Sequence, residues 1–97
     1  MEFYPPKKKK KVDSVALSSP FNRIPRVGVD GARALIDLGF KDIYELEGRS
    51  PEVLYDELKK KRSEPPPIDF LYRFRLAVYF AETPQPESSL LNLEAWR

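Results

Sequence analysis

The sequence predicts an all-α protein, a compact bundle of about five short helices behind a disordered, lysine-rich N-terminal arm. Apolar residues recur at helical spacing in several short segments, helix-start signals precede most of them, and no segment has a convincing strand pattern. The 97 residues suit one small domain, and 41% hydrophobic with 33% charged residues is ordinary for a soluble globular protein.

The arm is predicted over residues 1–18 and the folded domain over residues 19–97. Two prolines and five consecutive lysines mark the start of the arm. These lysines and Glu2 give residues 1–12 a net charge of +4, so residues 13–97 carry −2 of the total +2. We therefore expect any surface that binds nucleic acid to be local and assisted by the arm.

The domain is expected to begin with a short helix that Ser19 caps and Pro20 starts. Pro25 disfavours helical dihedrals at Ile24, so this helix should stop there. A turn at residues 26–28 follows. The helix after the turn has one apolar face, made of Ala32, Leu35 and Ile36.

Gly39 is a good left-handed stop for that helix. Asp42 and Glu45 have the spacing of a capping box, which predicts a third short helix ending at Gly48. Together these signals place three helix boundaries within ten residues, as expected for a bundle of short helices.

The fourth helix is predicted to be capped by Ser50 and to start at Pro51. Its expected inward residues are Val53, Leu54 and Leu58. After a proline-rich linker comes the strongest helix, predicted from Phe70 to Glu82 with Asp69 as its cap. This helix has two apolar stripes, so we expect it to be central to the fold or covered by a partner. A last turn should fold Trp96 back onto the core.

Residues 24–32 resemble the hairpin of the helix-hairpin-helix motif, which reads hydrophobic, any residue, Gly, hydrophobic, Gly, three residues and Ala. The matching residues are Ile24, Val27, Gly28 and Ala32. Glycine allows positive φ and leaves no Cβ between backbone and phosphate, and the amides at the start of the next helix form an anion seat. Arg26 replaces the first glycine, and Asp30 stands where a small or basic residue is usual.

Two interpretations of this hairpin remain open, a contact with the DNA backbone and a purely structural corner. The first, whose contacts would be blind to base sequence, predicts binding residues at the hairpin and in the arm: Arg23, Arg26, Val27, Gly28, Val29, Gly31, Arg33, Lys7, Lys8, Lys9, Lys10 and Lys11. The lysine run has three interpretations of its own: a solvated arm, a phosphate-binding arm, or a nuclear import signal in a eukaryotic protein.

A wider resemblance covers most of the chain. The segments LIDLGFKDIYELEGRSPEVLYDEL and FLYRFRLAVYFAE, with a Trp-containing end, resemble the "pathogenicity locus" family of small bacterial helix-hairpin-helix proteins, also labelled mitomycin-resistance proteins. The resemblance implies a SAM-like helical fold. Cysteines are common in the last two helices of that family and absent here, so no redox or metal role carries over.

Three functions compete. The leading hypothesis is a weak DNA-binding accessory protein, and the alternative is a protein-interaction module with a degenerate hairpin, which could self-associate through the helix from Phe70 to Glu82. An enzyme is the third and is not expected, because the chain has neither His nor Cys and its carboxylates are dispersed. No cofactor or metal is expected either.

No apolar run approaches the ~18–20 residues that span a bilayer, and no signal-peptide core is present. The sequence therefore predicts a cytoplasmic protein with no membrane contact.

Overall fold

The computed structural model describes residues 13–97 and consists of helices and connecting turns, with no strand in that range. The four α-helices are α1 (Ser14–Leu17), α2 (Gly28–Asp37), α3 (Pro51–Lys61) and α4 (Asp69–Glu82). Four 3₁₀ helices lie between or after them: Pro20–Arg23, Ile43–Leu46, Ser88–Leu90 and Leu93–Trp96. The predicted all-α fold is confirmed, and Lys7 to Lys11 lie outside the described residues.

The domain begins earlier than the sequence predicts, because residues 13–18 are not part of a disordered arm. Asp13 caps α1 by accepting a hydrogen bond from the Ala16 N–H at 3.1 Å, and Ala16 is fully buried. Ser19 does not cap the next helix, since its hydroxyl donates to the Ala16 carbonyl at 2.9 Å. A four-residue helix with one small buried side chain is too short to show an apolar period.

The helix boundaries on either side of α2 follow the local signals. Ile24 is extended before Pro25, with φ −82° and ψ 117°, and ends the 3₁₀ helix Pro20–Arg23. Gly39 has a φ of +99° just after α2, a conformation that favours glycine. Asp42 and Glu45 form the predicted capping box.

In α3 the predicted cap is confirmed, because the Ser50 hydroxyl accepts from the Val53 N–H at 3.3 Å. One predicted core residue is wrong. Leu54 and Leu58 are buried, but Val53 is 52% exposed. Leucines four residues apart share one helix face, and Val53 lies beside that face.

The core is built around α4, whose buried side chains include Phe74, Leu76 and Ala77. Asp69 does not cap this helix, because it is already the first helical residue and its carboxylate accepts from Nε of Arg73 at 2.9 Å.

The outer stripe of α4, which is the side that carries Tyr79, is covered by the chain's own C-terminal segment. The Trp96 ring lies 5.3 Å from the Tyr79 ring, measured between centroids. Arg75 Nη1 donates to the Trp96 carbonyl at 2.7 Å, and the Trp96 indole N–H donates to the Leu90 carbonyl at 2.8 Å. The two apolar stripes therefore have intramolecular partners on both sides.

Candidate nucleic-acid interface

The hairpin (residues 24–31) starts with a β-turn that places a non-glycine residue in the left-handed region. The Val27 N–H donates to the Ile24 carbonyl at 3.4 Å, and Pro25 and Arg26 are the two central residues. Arg26 has a φ of +67°. A turn with proline first and positive φ second is a type II turn, which normally requires glycine at the second position. The backbone at Arg26 therefore adopts the left-handed conformation that glycine normally supplies in such a turn.

Gly28 continues the positive φ, at +73°, and starts α2. No side chain caps this helix, and no acceptor for the N–H groups of Gly28, Val29 and Asp30 occurs among residues 13–97. Gly28 and Asp30 are exposed. Free amides at a helix start, together with the helix dipole, attract an anion.

A cation from α4 lies against this corner. Arg73 Nη1 donates to the Val27 carbonyl at 3.1 Å, and its guanidinium lies 4.9 Å from the centre of the Phe70 ring. A Cβ added at Gly28 would lie 3.7 Å from Arg73 Nη1, so the guanidinium occupies the space beside the glycine. Arg73 also pairs with an acid on its own helix, since its Nε donates to the Asp69 carboxylate at 2.9 Å. The contact with the hairpin is additional.

Two residues predicted to touch phosphate face the core instead. Val27 is 1% exposed and its N–H is already bonded in the turn. Gly31 is buried, and a Cβ there would come within 2.6 Å of Val27 Cγ1. This glycine is needed for close packing within the hairpin, not for an approach by a ligand. Val29 is half-buried and its side chain is apolar, so its backbone amide is the group that could contact a phosphate.

Arg33 is occupied by acidic partners. Its Nε and Nη2 donate to Asp13 at 2.8 and 2.7 Å, and its Nη1 donates to Asp37 at 3.2 Å. The hydrogen bonds from Arg33, with one from the Ala16 N–H, lower the pKa of Asp13 to about 2. The bonds to Asp13 and Asp37 raise the pKa of Arg33. The prediction that Arg33 contacts phosphate therefore does not fit its surroundings.

Arg23 and Arg26 have exposed side chains, and neither forms an ion pair within residues 13–97. Arg23 borders a separate cleft, which it shares with Tyr44 and Phe80. Of the predicted cations in the described range, Arg26 is the one that belongs to the turn itself. The structure thus brings together Arg26, the amides that begin α2, and Arg73.

Residues 13–97 contain no group of three or more acidic, His or Cys side chains placed to hold a metal ion. Within those residues, every helix is too short or too polar to cross a membrane.

The sequence model of the Pathogenicity locus family matches residues 15–95. This chain belongs to the Pathogenicity locus family. The match runs from α1 to the last 3₁₀ helix, so the hairpin and the C-terminal segment are both part of what this Pathogenicity locus protein shares with its family. No curated protein and no solved structure matches the chain.

Proposed function

We propose that this Pathogenicity locus protein is a DNA-binding accessory protein that contacts the phosphate backbone weakly and without sequence preference. In this proposal the hairpin acts as a helix-hairpin-helix turn, and Lys7 to Lys11 add a second basic element. The observation that carries the proposal is the uncapped start of α2, beside Arg73, where the amides of Gly28, Val29 and Asp30 have no acceptor among residues 13–97.

The charge around the hairpin explains why the binding should be weak. Arg26 and Arg73 supply two cations, but Asp30 in the first turn of α2 and Asp69 beside Arg73 supply two anions. The local balance is therefore close to neutral, and the dipole and amide contribution is worth about 0.3–1 kcal/mol per favourable charge at an exposed helix end. Binding then depends on the lysines and weakens steeply with salt.

The test uses two glycines with nearly the same backbone conformation. Gly28 has a φ of +73° and Gly48 a φ of +77°, so Gly28→Ala and Gly48→Ala carry similar strain, about 1–2 kcal/mol. Only Gly28→Ala places a methyl group at the hairpin, whereas a Cβ at Gly48 meets nothing within 4 Å. Fluorescence anisotropy with a labelled duplex at low salt should show weaker binding for Gly28→Ala and parent-like binding for Gly48→Ala.

The lysine run is tested in parallel by replacing Lys7 to Lys11 with glutamine. The slope of log K against log salt should fall by up to about 4–5, since each phosphate-bound cation contributes about 0.9. If no duplex of any sequence binds the parent chain at low salt, the proposal is wrong. If Gly28→Ala and Gly48→Ala weaken duplex binding equally, the hairpin does not contact the DNA and that part of the proposal is wrong.

A protein-interaction module is the second candidate function, and one observation favours it. Val15 and Leu17, two residues apart on α1, are 58% and 50% exposed, and exposed apolar side chains on one short element offer a contact surface to a partner. Self-association through the helix from Phe70 to Glu82 has less support, because the C-terminal segment covers its outer stripe. Light scattering at high concentration tests this candidate: a strict monomer in parent and Leu17→Lys chains alike would contradict self-association.

A further inference from the structure

One arginine of α4 packs along the hairpin and reaches both of its glycines. Arg73 Nη1 donates to the Val27 carbonyl at 3.1 Å and lies 3.7 Å from the position that a Cβ would take at Gly28. A Cβ at Gly31 would lie 3.5 Å from Arg73 Cδ. The aliphatic stem of Arg73 therefore runs past Gly31, and its charged end lies beside Gly28.

Two contacts within α4 hold this guanidinium in place. Nε of Arg73 donates to the Asp69 carboxylate at 2.9 Å, and the guanidinium lies 4.9 Å from the centre of the buried Phe70 ring. The Arg73 side chain is 21% exposed. Because a guanidinium is planar and its N–H groups have fixed directions, a bond through Nε also sets the direction of Nη1. The Val27 carbonyl is thus bound by a donor that is itself fixed.

The carbonyl that Arg73 binds belongs to the same peptide unit as the Gly28 amide. The Val27–Gly28 peptide bond is trans, so its N–H points opposite to its C=O. Holding the carbonyl toward Arg73 therefore turns the Gly28 N–H away from Arg73, and this N–H has no acceptor among residues 13–97. A positive charge on the carbonyl side also polarises the peptide unit, which makes its N–H a stronger donor.

We propose that Arg73 is a positioning residue of the hairpin, which binds the Val27 carbonyl so that the Gly28 N–H is presented to a DNA phosphate. The inference rests on the proposed DNA-binding function and deepens it. Arg73 then acts through the backbone and does not touch phosphate itself. This role depends on the atom that Arg73 holds, and so it differs from the effect of a positive charge acting through space.

The salt dependence of binding separates positioning from direct contact. A cation that touches phosphate contributes about 0.9 to the slope of log K against log salt, whereas a positioning residue leaves that slope unchanged. In fluorescence anisotropy with a labelled duplex, Arg73→Gln should weaken binding about 3–10-fold at every salt concentration, which is what one hydrogen bond is typically worth. A slope lower by about 0.9, or an affinity equal to that of the parent, overturns the proposal.

Two further variants control for charge. Arg75→Gln removes the same charge from the same helix, but the partners of Arg75 are Glu52 and the Trp96 carbonyl, so this variant should bind as the parent does. Arg73→Lys keeps the charge, but a single ammonium does not reproduce the rigid fork that holds both partners, so binding should still weaken. Equal losses in Arg73→Gln and Arg75→Gln, or parent-like binding of Arg73→Lys, would show that charge alone matters and would overturn the positioning role.

A second measurement does not involve DNA. In the free protein, Arg73→Gln should shift the amide NMR signal of Gly28, and Arg75→Gln should leave that signal in place. An unchanged Gly28 signal in Arg73→Gln refutes the positioning role.

The failure of this inference is distinguishable from the failure of the proposed function. If Gly28→Ala weakens duplex binding and Arg73→Gln does not, the hairpin contacts DNA and the inference about Arg73 is wrong. If the Gly28 signal responds to Arg73→Gln but no duplex binds the parent chain, the proposed function has failed and the inference fails with it.

Discussion

Replacing Arg26 by glycine should stabilise the protein. Arg26 has a φ of +67° in the turn with Pro25, and a side chain there costs roughly 1–2 kcal/mol relative to the right-handed region. Glycine avoids this cost but loses more backbone entropy on folding, by roughly 0.5–1 kcal/mol. Arg26 is exposed and has no ion pair within residues 13–97, so little else is lost. The net expected gain in the free energy of unfolding is roughly 0.5–1 kcal/mol.

The measurement is thermal unfolding followed by far-UV circular dichroism, with urea unfolding as a second assay. A domain of this size should show a rise in Tm of roughly 2–6 °C for that gain. Arg26→Ala is the control, because it removes the charge and the long side chain but keeps a Cβ at positive φ. If Arg26→Gly is no more stable than Arg26→Ala, the turn is not strained and the reasoning is wrong.

Two further predictions concern Asp13 and Gly31. NMR titration should give Asp13 a pKa of about 2, and Arg33→Gln should raise that pKa toward 3.8. Because folding lowers the pKa of Asp13, its pair with Arg33 stabilises the fold fully above about pH 4. This contribution to the free energy of unfolding is lost as the pH falls toward 2. A normal pKa in the parent would contradict the Arg33 contact. Gly31→Ala should lower the free energy of unfolding by about 1 kcal/mol in urea, because its Cβ would come within 2.6 Å of Val27 Cγ1, and the loss should shrink in a Val27→Ala background. Additive effects of those two substitutions would rule out the clash.

The sequence predicted the features that depend on residues close together in the chain. The capping box of Asp42 and Glu45, the Ser50 cap and the Gly39 stop each require only a few neighbouring residues, and all three are confirmed. The turn at Pro25 was found for the same reason.

Contacts between residues far apart in the chain leave no local pattern in the sequence from which they could be predicted. Arg73 reaches the Val27 carbonyl across 46 positions, and the Arg33 pair with Asp13 spans 20. No spacing rule joins residues that far apart, so Arg33 was placed among the phosphate contacts by its proximity to the hairpin in sequence alone. The helix α1 was missed because its stability comes from Asp13 and Ala16 packing onto other elements, and not from its own periodicity.

The position of Trp96 gives the protein a built-in optical reporter. It is the chain's single tryptophan. Its indole ring packs against Tyr79, and its N–H donates a hydrogen bond to the Leu90 carbonyl. Its emission therefore senses one event, the release of the C-terminal segment from α4, whereas circular dichroism averages over every helix. Comparing the midpoints of the two signals in one denaturation experiment would reveal whether this end of the molecule detaches before the bundle melts.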